Sequence, residues 1–128
     1  MNTIKLNGLD KRLYQLVAPL VMNPEVLKAN NNYPFKTSQE FTWFILLRGK
    51  KVKGFIPVEE RTNKLIINNY YVEENRNDLL SLLLSEVIQA FGNERQLWAV
   101  AFMQDQTVFE EHGFVVDKEW KLYVKMHR

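Results

Sequence analysis

Residues 78–91 constrain this chain more tightly than any other stretch. Leu80, Leu83, Leu84, Val87 and Phe91 recur at three- and four-residue spacing, which gathers them on one helical face, and Leu79, Leu82 and Ile88 broaden that face. Such a helix must be buried on most of its sides, and Gly92 is its natural stop. The preceding residues supply what it packs on. Phe41 to Leu47, Val52 to Val58 and Leu65 to Val72 are rich in aromatic and branched residues. They are separated by the polar tips Arg48-Gly49-Lys50-Lys51 and Arg61-Thr62-Asn63-Lys64, so they read as a three-stranded antiparallel meander.

Around this centre the remaining segments are shorter. Leu13, Leu16, Val17, Leu20 and Val21 mark a helix with Asp10 near its start, and Asn23-Pro24 interrupts it because proline removes a donor and constrains its predecessor. Pro24 opens a second short helix that ends in the loop Asn30 to Pro34. Leu97 to Phe102 reads as a strand, Asp105 to His112 as a helix ended by Gly113, and Phe114 to Met126 as one or two closing strands. The order β-α-α-β-β-β-α-β-α-β is that of an α+β fold. A length of 128 residues with 46% hydrophobic content fits one domain, 1–128, around one core.

Composition narrows the function. Seventeen Lys plus Arg against fifteen Asp plus Glu give a net charge of +2, which argues against nucleic acid as a partner. Cysteine is absent and His112 and His127 lack paired-ligand spacing, so no metal site is expected. The N-terminus has no signal-like apolar run, and the apolar stretch around Leu79 to Leu84 is too short to span a bilayer; a cytoplasmic protein with no membrane partner is expected.

The element order resembles the GNAT N-acetyltransferase fold, a central mixed sheet with an antiparallel meander, flanked by helices. Lys51-Val52-Lys53-Gly54-Phe55-Ile56 is similar to the family's third strand, which commonly carries Val-x-Gly-Phe, and Leu65 to Val72 to its fourth. Phe109-Glu110-Glu111-His112-Gly113-Phe114 resembles the aromatic-x-x-x-Gly-Phe close of the last helix. The resemblance is best from Thr42 to Met126; residues 1–41 agree only in element order.

This resemblance implies transfer of an acyl group from acetyl-CoA to an amine acceptor by direct attack on the thioester. Main-chain groups of Tyr70, Tyr71 and Val72 would hold the pantetheine arm as an extra strand. In the family a loop of the form Arg/Gln-x-x-Gly-x-Gly/Ala holds the pyrophosphate on backbone N–H groups at a helix N-terminus. The matching residues here are Arg76, Asn77, Asp78, Leu79, Leu80 and Ser81, with Leu79 at the central glycine position and Glu73, Glu74 and Asp78 adding negative charge. An alternative is that Asn75, Asn77 and Asp78 simply cap a core helix.

Many family members place a proton-donating tyrosine where this chain has Phe109, which has no proton to give. Water, or another group such as Tyr70 or Tyr71, would then protonate the leaving thiolate. Glu59 and Glu60, at the end of the third strand, are the candidates for a general base, with surface turn residues as the alternative. Tyr33, Phe35, Phe41, Trp43 and Phe44 lie around the loop that borders the family's acceptor pocket and are candidates to line an aromatic substrate site, with most of them expected in the core, while Trp98 and Trp120 read as packing or homodimer-interface residues. The cluster Arg48, Lys50, Lys51 and Lys53 reads as a solvated hairpin tip. Leu79, Phe109 and the acidic residues also suit a rival, a catalytically degenerate GNAT-like domain that binds a protein partner or small ligand.

Overall fold

The structure is a computed structural model that describes all residues, 1–128. Its strands are β1 (Asn2–Asn7), β2 (Phe41–Arg48), β3 (Lys51–Glu60), β4 (Lys64–Ile67), β5 (Tyr71–Val72), β6 (Gln96–Phe102), β7 (Val115–Glu119) and β8 (Tyr123–His127). Four α-helices accompany them: α1 (Lys11–Val21), α2 (Pro24–Ala29), α3 (Asn77–Phe91) and α4 (Gln106–Glu111). One sheet joins all the strands in the order β1-β2-β3-β4-β6-β8-β7, with β5 paired to β3 beyond the end of β4. Phe114 to Met126 thus holds two strands rather than one. No helix is long and apolar enough to cross a membrane.

Strand alternation divides the apolar residues between two faces. Trp43, Ile45 and Phe55 point to one face, where Leu13 and Val17 of α1 and Leu6 of β1 cover them. Phe44, Leu46, Ile56 and Val58 point to the other, beneath Leu79, Leu80, Leu83, Leu84 and Val87 of α3 and Val108 and Phe109 of α4. Leu82 departs from the expected face: it is 47% exposed, because the sheet reaches only one side of α3. Local signals set the helix ends. Asp10 caps α1 by accepting from the Arg12 N–H, Asn23 caps α2 by accepting from Glu25 N–H, and Gly92 follows α3 at φ 59°.

The meander is antiparallel throughout, but Leu65 to Val72 is not one strand. Val58 lies opposite Ile67, and Phe55 lies opposite Tyr71. Two residues of β3, Ile56 and Pro57, therefore face three, Asn68, Asn69 and Tyr70, which is a β-bulge. Its causes are in the sequence: Pro57 has no N–H for the ladder, and Asn69 takes φ 55°, a left-handed conformation that asparagine tolerates. Past the bulge Gly54 lets β5 come close, since a Cβ there would meet the Tyr71 carbonyl oxygen at 2.8 Å. The parallel pairing of β4 with β6 ends at Ile67 opposite Ala99. Beyond it the two strands part.

Candidate functional site

The bulge re-aims Tyr70 into the split between β5 and the end of β6. Only 3% exposed, Tyr70 donates its hydroxyl proton to Asp105 Oδ2 at 2.5 Å and accepts from the Phe102 N–H at 3.0 Å. The phenol thus takes up a β6 backbone donor that the end of the parallel ladder leaves free. Burial, then the Asp105 carboxylate, pushes the Tyr70 hydroxyl well above its ordinary pKa, and burial raises Asp105 as well, opposed by the bond from Tyr70. Phe109 is fully buried and packs on the Tyr70 ring at 5.7 Å, so the phenol lies beside the position expected from the resemblance to carry a proton donor. The space left in the split is a cavity of about 20 Å³, bordered by Tyr71, Val72, Asn75 and Phe102. Burial, then Glu73 and Glu74, raises the Tyr71 hydroxyl, and its ring packs on Phe55 at 5.7 Å.

The chain enters α3 through a short turn, Glu73–Asn75, in which Glu74 and Asn75 take φ 55° and 52°. Consecutive non-glycine residues in this region are strained and are held only by their surroundings. Glu73 is anchored by Lys53 at 2.8 Å and Lys51 at 3.4 Å; Lys53 is largely buried and leaves the solvated role expected for the hairpin tip, whereas Lys51 stays exposed. Arg76 stands at the N-cap, and the first-turn N–H groups of α3 have no acceptors within the helix. Leu79 is 0% exposed: its side chain turns into the core, so its bulk does not cover the helix N-terminus. Leu80 is buried beside it, while Asn77 and Asp78 are exposed.

Arg76 is clasped by Asp78, with Nη2 at 2.6 Å from Oδ2 and Nε at 3.1 Å from Oδ1. This pair lowers the Asp78 carboxyl, helped by the N–H groups of Leu79 and Asp78, so a carboxylate of the chain itself stands at the helix N-terminus. Ser81 bonds His112 Nε2 at 2.8 Å and so ties α3 to the end of α4.

The two glutamates at the end of β3 differ. Glu60 is partly buried, which opposes its charge, yet the Thr42 hydroxyl at 2.6 Å and Arg95 at 2.9 Å outweigh burial and keep its carboxyl low. Glu59 pairs with Arg61 at 3.3 Å and borders a cavity of about 150 Å³ with Phe41, Ile66, Asn68 and Asn69. That cavity shares Lys36, Asn68 and Asn69 with a groove of about 350 Å³ lined by Tyr33, Trp120 and Tyr123 over Val100. Both lie on the sheet face away from α3.

Of the aromatics expected near an acceptor, Tyr33 and Phe41 line these spaces. Phe35 and Trp43 instead pack on Phe55, and Phe44 on Phe91. Trp120 is 40% exposed at the groove rather than packed. Asp105, Asn68, Asn69, Lys36 and Tyr123 are site neighbours that sequence reasoning missed. The Asn68-Asn69 pair inside an apolar run was the signal available.

No protein-family model matches the sequence, and no curated protein matches it. Solved structures do match over nearly the whole chain. An acyl-CoA N-acyltransferase from Pseudomonas aeruginosa superposes with a TM-score of 0.79 at 14% identity, covering 100% of this chain and 99% of its own. The Campylobacter jejuni N-acetyltransferase PseH, solved in complex with acetyl coenzyme A, gives 0.64 at 15% identity, covering 99% and 98%. An acetyltransferase of the GNAT family from Streptococcus pneumoniae gives 0.63 at 16% identity, covering 99% of both chains. With its bulged fourth strand, its split sheet and α3 opening beside the split, the chain has the GNAT N-acetyltransferase fold.

Proposed function

We propose that residues 1–128 act as one GNAT-like domain that transfers an acyl group, acetyl in the simplest case, from acyl-CoA to an amine. The observation that carries this reading is the entry to α3. The helix N-terminus opens next to the split, Leu79 is turned inward, and Arg76 stands at the cap, so backbone donors and one cation remain where a pyrophosphate would bind. PseH, of the same fold, is solved with acetyl coenzyme A.

Bound acyl-CoA supplies the activated thioester. The amine nitrogen forms a bond to the carbonyl carbon, the carbon–sulfur bond breaks, and the sulfur takes up a proton. Backbone groups of Tyr70, Tyr71 and Val72 face the split and are suited to hold the pantetheine arm, while Arg76, Asn77, Asp78, Leu79, Leu80 and Ser81 form the turn toward the pyrophosphate. Tyr70, beside Phe109 and backed by Asp105, is the proton donor best supported, with the half-buried Tyr71 as the alternative. Glu59 borders the cavity that adjoins the outer groove and is better suited than the doubly held Glu60 to take a proton from the amine.

A second reading, a degenerate domain that has lost the coenzyme, is favoured by two contacts: Asp78 neutralises Arg76, and Tyr70 fills the split. Calorimetry and thermal shift with acetyl-CoA and CoA separate the two. Ligand at ~100 times its dissociation constant should stabilise the chain by about 2.7 kcal/mol. Absence of any shift at millimolar ligand would overturn acyl transfer.

A further inference from the structure

We infer that the outer groove takes the amine acceptor of this transfer and that the acceptor is a free aromatic α-amino acid. The inference rests on the acyl-transfer reading for its reaction, but on different residues for its chemistry. The decisive feature is the set of hydrogen-bonding groups at the centre of the groove. Asn68 Oδ1 accepts from the Asn69 N–H at 2.9 Å, and Asn69 Oδ1 accepts from Asn30 Nδ2 at 3.1 Å. The orientation of each amide is fixed. A backbone N–H must meet an oxygen of Asn68, and Asn30 Nδ2, which also donates to the Tyr33 carbonyl at 2.9 Å, must meet an oxygen of Asn69.

Both amide nitrogens are therefore left as donors, and neither has a partner in the chain. Lys36, which borders the same two cavities, has no carboxylate partner either. Three donors with no acceptor among them call for an oxyanion, and a carboxylate offers enough lone pairs for all three.

The walls give the remaining chemistry. Tyr33, Trp120 and Tyr123 present aromatic surface over Val100, in a volume of about 350 Å³ that accommodates a six-membered ring. Asn69 directly precedes Tyr70, which fills the split, so the carboxylate site borders the site of transfer. Polycationic acceptors are disfavoured. No carboxylate lines the groove, Glu59 of the adjoining cavity is already paired with Arg61, and Lys36 and Lys118, the latter 5.8 Å over the Trp120 ring, add like charge.

The test is calorimetry on the full chain with L-phenylalanine, phenethylamine, L-alanine and spermidine. L-phenylalanine should bind, and phenethylamine, which lacks only the carboxylate, should bind about tenfold more weakly or worse. Lys36→Gln and Asn68→Asp, both at exposed positions and checked for unchanged melting, should each weaken L-phenylalanine to a similar extent. Asn68→Asp should also admit spermidine. No binding of L-phenylalanine, equal affinity for phenethylamine, or an affinity indifferent to Lys36→Gln overturns the assignment. A parallel assay of CoA release from acetyl-CoA keeps the two readings apart. Turnover with spermidine but not L-phenylalanine overturns the acceptor and leaves acyl transfer standing. L-phenylalanine binding that tracks Lys36 and Asn68, with no turnover of any amine, supports the amino-acid site and overturns acyl transfer.

Discussion

On the α3 side of the split, Arg76 is clasped by Asp78, Glu73 by Lys53, and Tyr70 by Asp105. On the groove side, Lys36 and the amide nitrogens of Asn68 and Asn69 face solvent with no partner in the chain. A ligand arriving on the first side must break a bond the chain already makes, so its affinity is a difference between two similar interactions. On the second side it replaces only water. The same fold thus carries one surface where binding would be set by internal competition and one where it would be set by direct gain.

The largest expected effect tests the helix that supports the first surface. Leu83→Ala and Leu84→Ala should each destabilise by ~2–5 kcal/mol, because both side chains are fully buried between α3 and the sheet. Urea midpoints equal to wild type would mean that the buried face of α3 is misassigned. Tyr70→Phe should destabilise by ~1–3 kcal/mol, since it strips partners from the Phe102 N–H and from Asp105. If the phenol competes with the pantetheine arm, the same variant binds CoA more tightly; unchanged affinity would remove Tyr70 from the competition.

At the α3 entry, Arg76→Ala should weaken CoA about tenfold, whereas Asp78→Asn should strengthen it about threefold by freeing Arg76 and removing a carboxylate from the helix N-terminus. Opposite signs for the two are the signature of internal competition. Equal signs would place the pyrophosphate elsewhere.

The smallest effect is a pH dependence. Burial raises Asp105 above its unfolded value, so the folded chain holds that proton more tightly than the unfolded chain does. The associated stability is fully present below the ordinary aspartate range and is lost as pH rises through the raised folded pKa. Wild-type stability minus that of Asp105→Asn should therefore fall with rising pH in that window, by at most about 1.4 kcal/mol per pH unit. A difference that rises instead would mean that Tyr70 stabilises the ionised carboxylate more than burial opposes it.

Much of the fold was legible because it depends on periodicity. The buried face of α3 follows from the spacing of Leu80, Leu83, Leu84 and Val87, and the meander from the branched runs and their polar tips. The break after Ile67 was not, since Leu65 to Val72 reads as one apolar run unless the missing N–H of Pro57, on the neighbouring strand, is set opposite Asn68 and Asn69. That coincidence exists only once the register is known. At the site, the inward turn of Leu79 follows from its helical phase, but the clasp of Arg76 by Asp78 depends on side-chain torsions that no spacing rule encodes. Asp105 reads as an ordinary helix-start residue, and its burial beneath Tyr70 is a product of the bulge some thirty-five residues earlier.

Two adjacent residues of the loop after α2 are fastened to opposite banks of the split: Asn30 to Asn69 beside β4, and Asn31, through its amide nitrogen, to the Tyr123 hydroxyl of β8 at 2.8 Å. β1 and α1 are held to the rest of the chain by the β1–β2 ladder, the apolar cluster around Trp43 and hydrogen bonds between Asn7 and Gln39 and between Gly8 and Thr37. In hydrogen-exchange terms, residues 1–33 are expected to open as one cooperative unit, releasing both amides together. Tyr33, the one residue of this segment on the groove, leaves with it, so the amides of α2 should exchange with those of β1 and well before those of β6, and a ligand that bridges Tyr33 and Asn69 should slow the whole segment rather than the residues it touches.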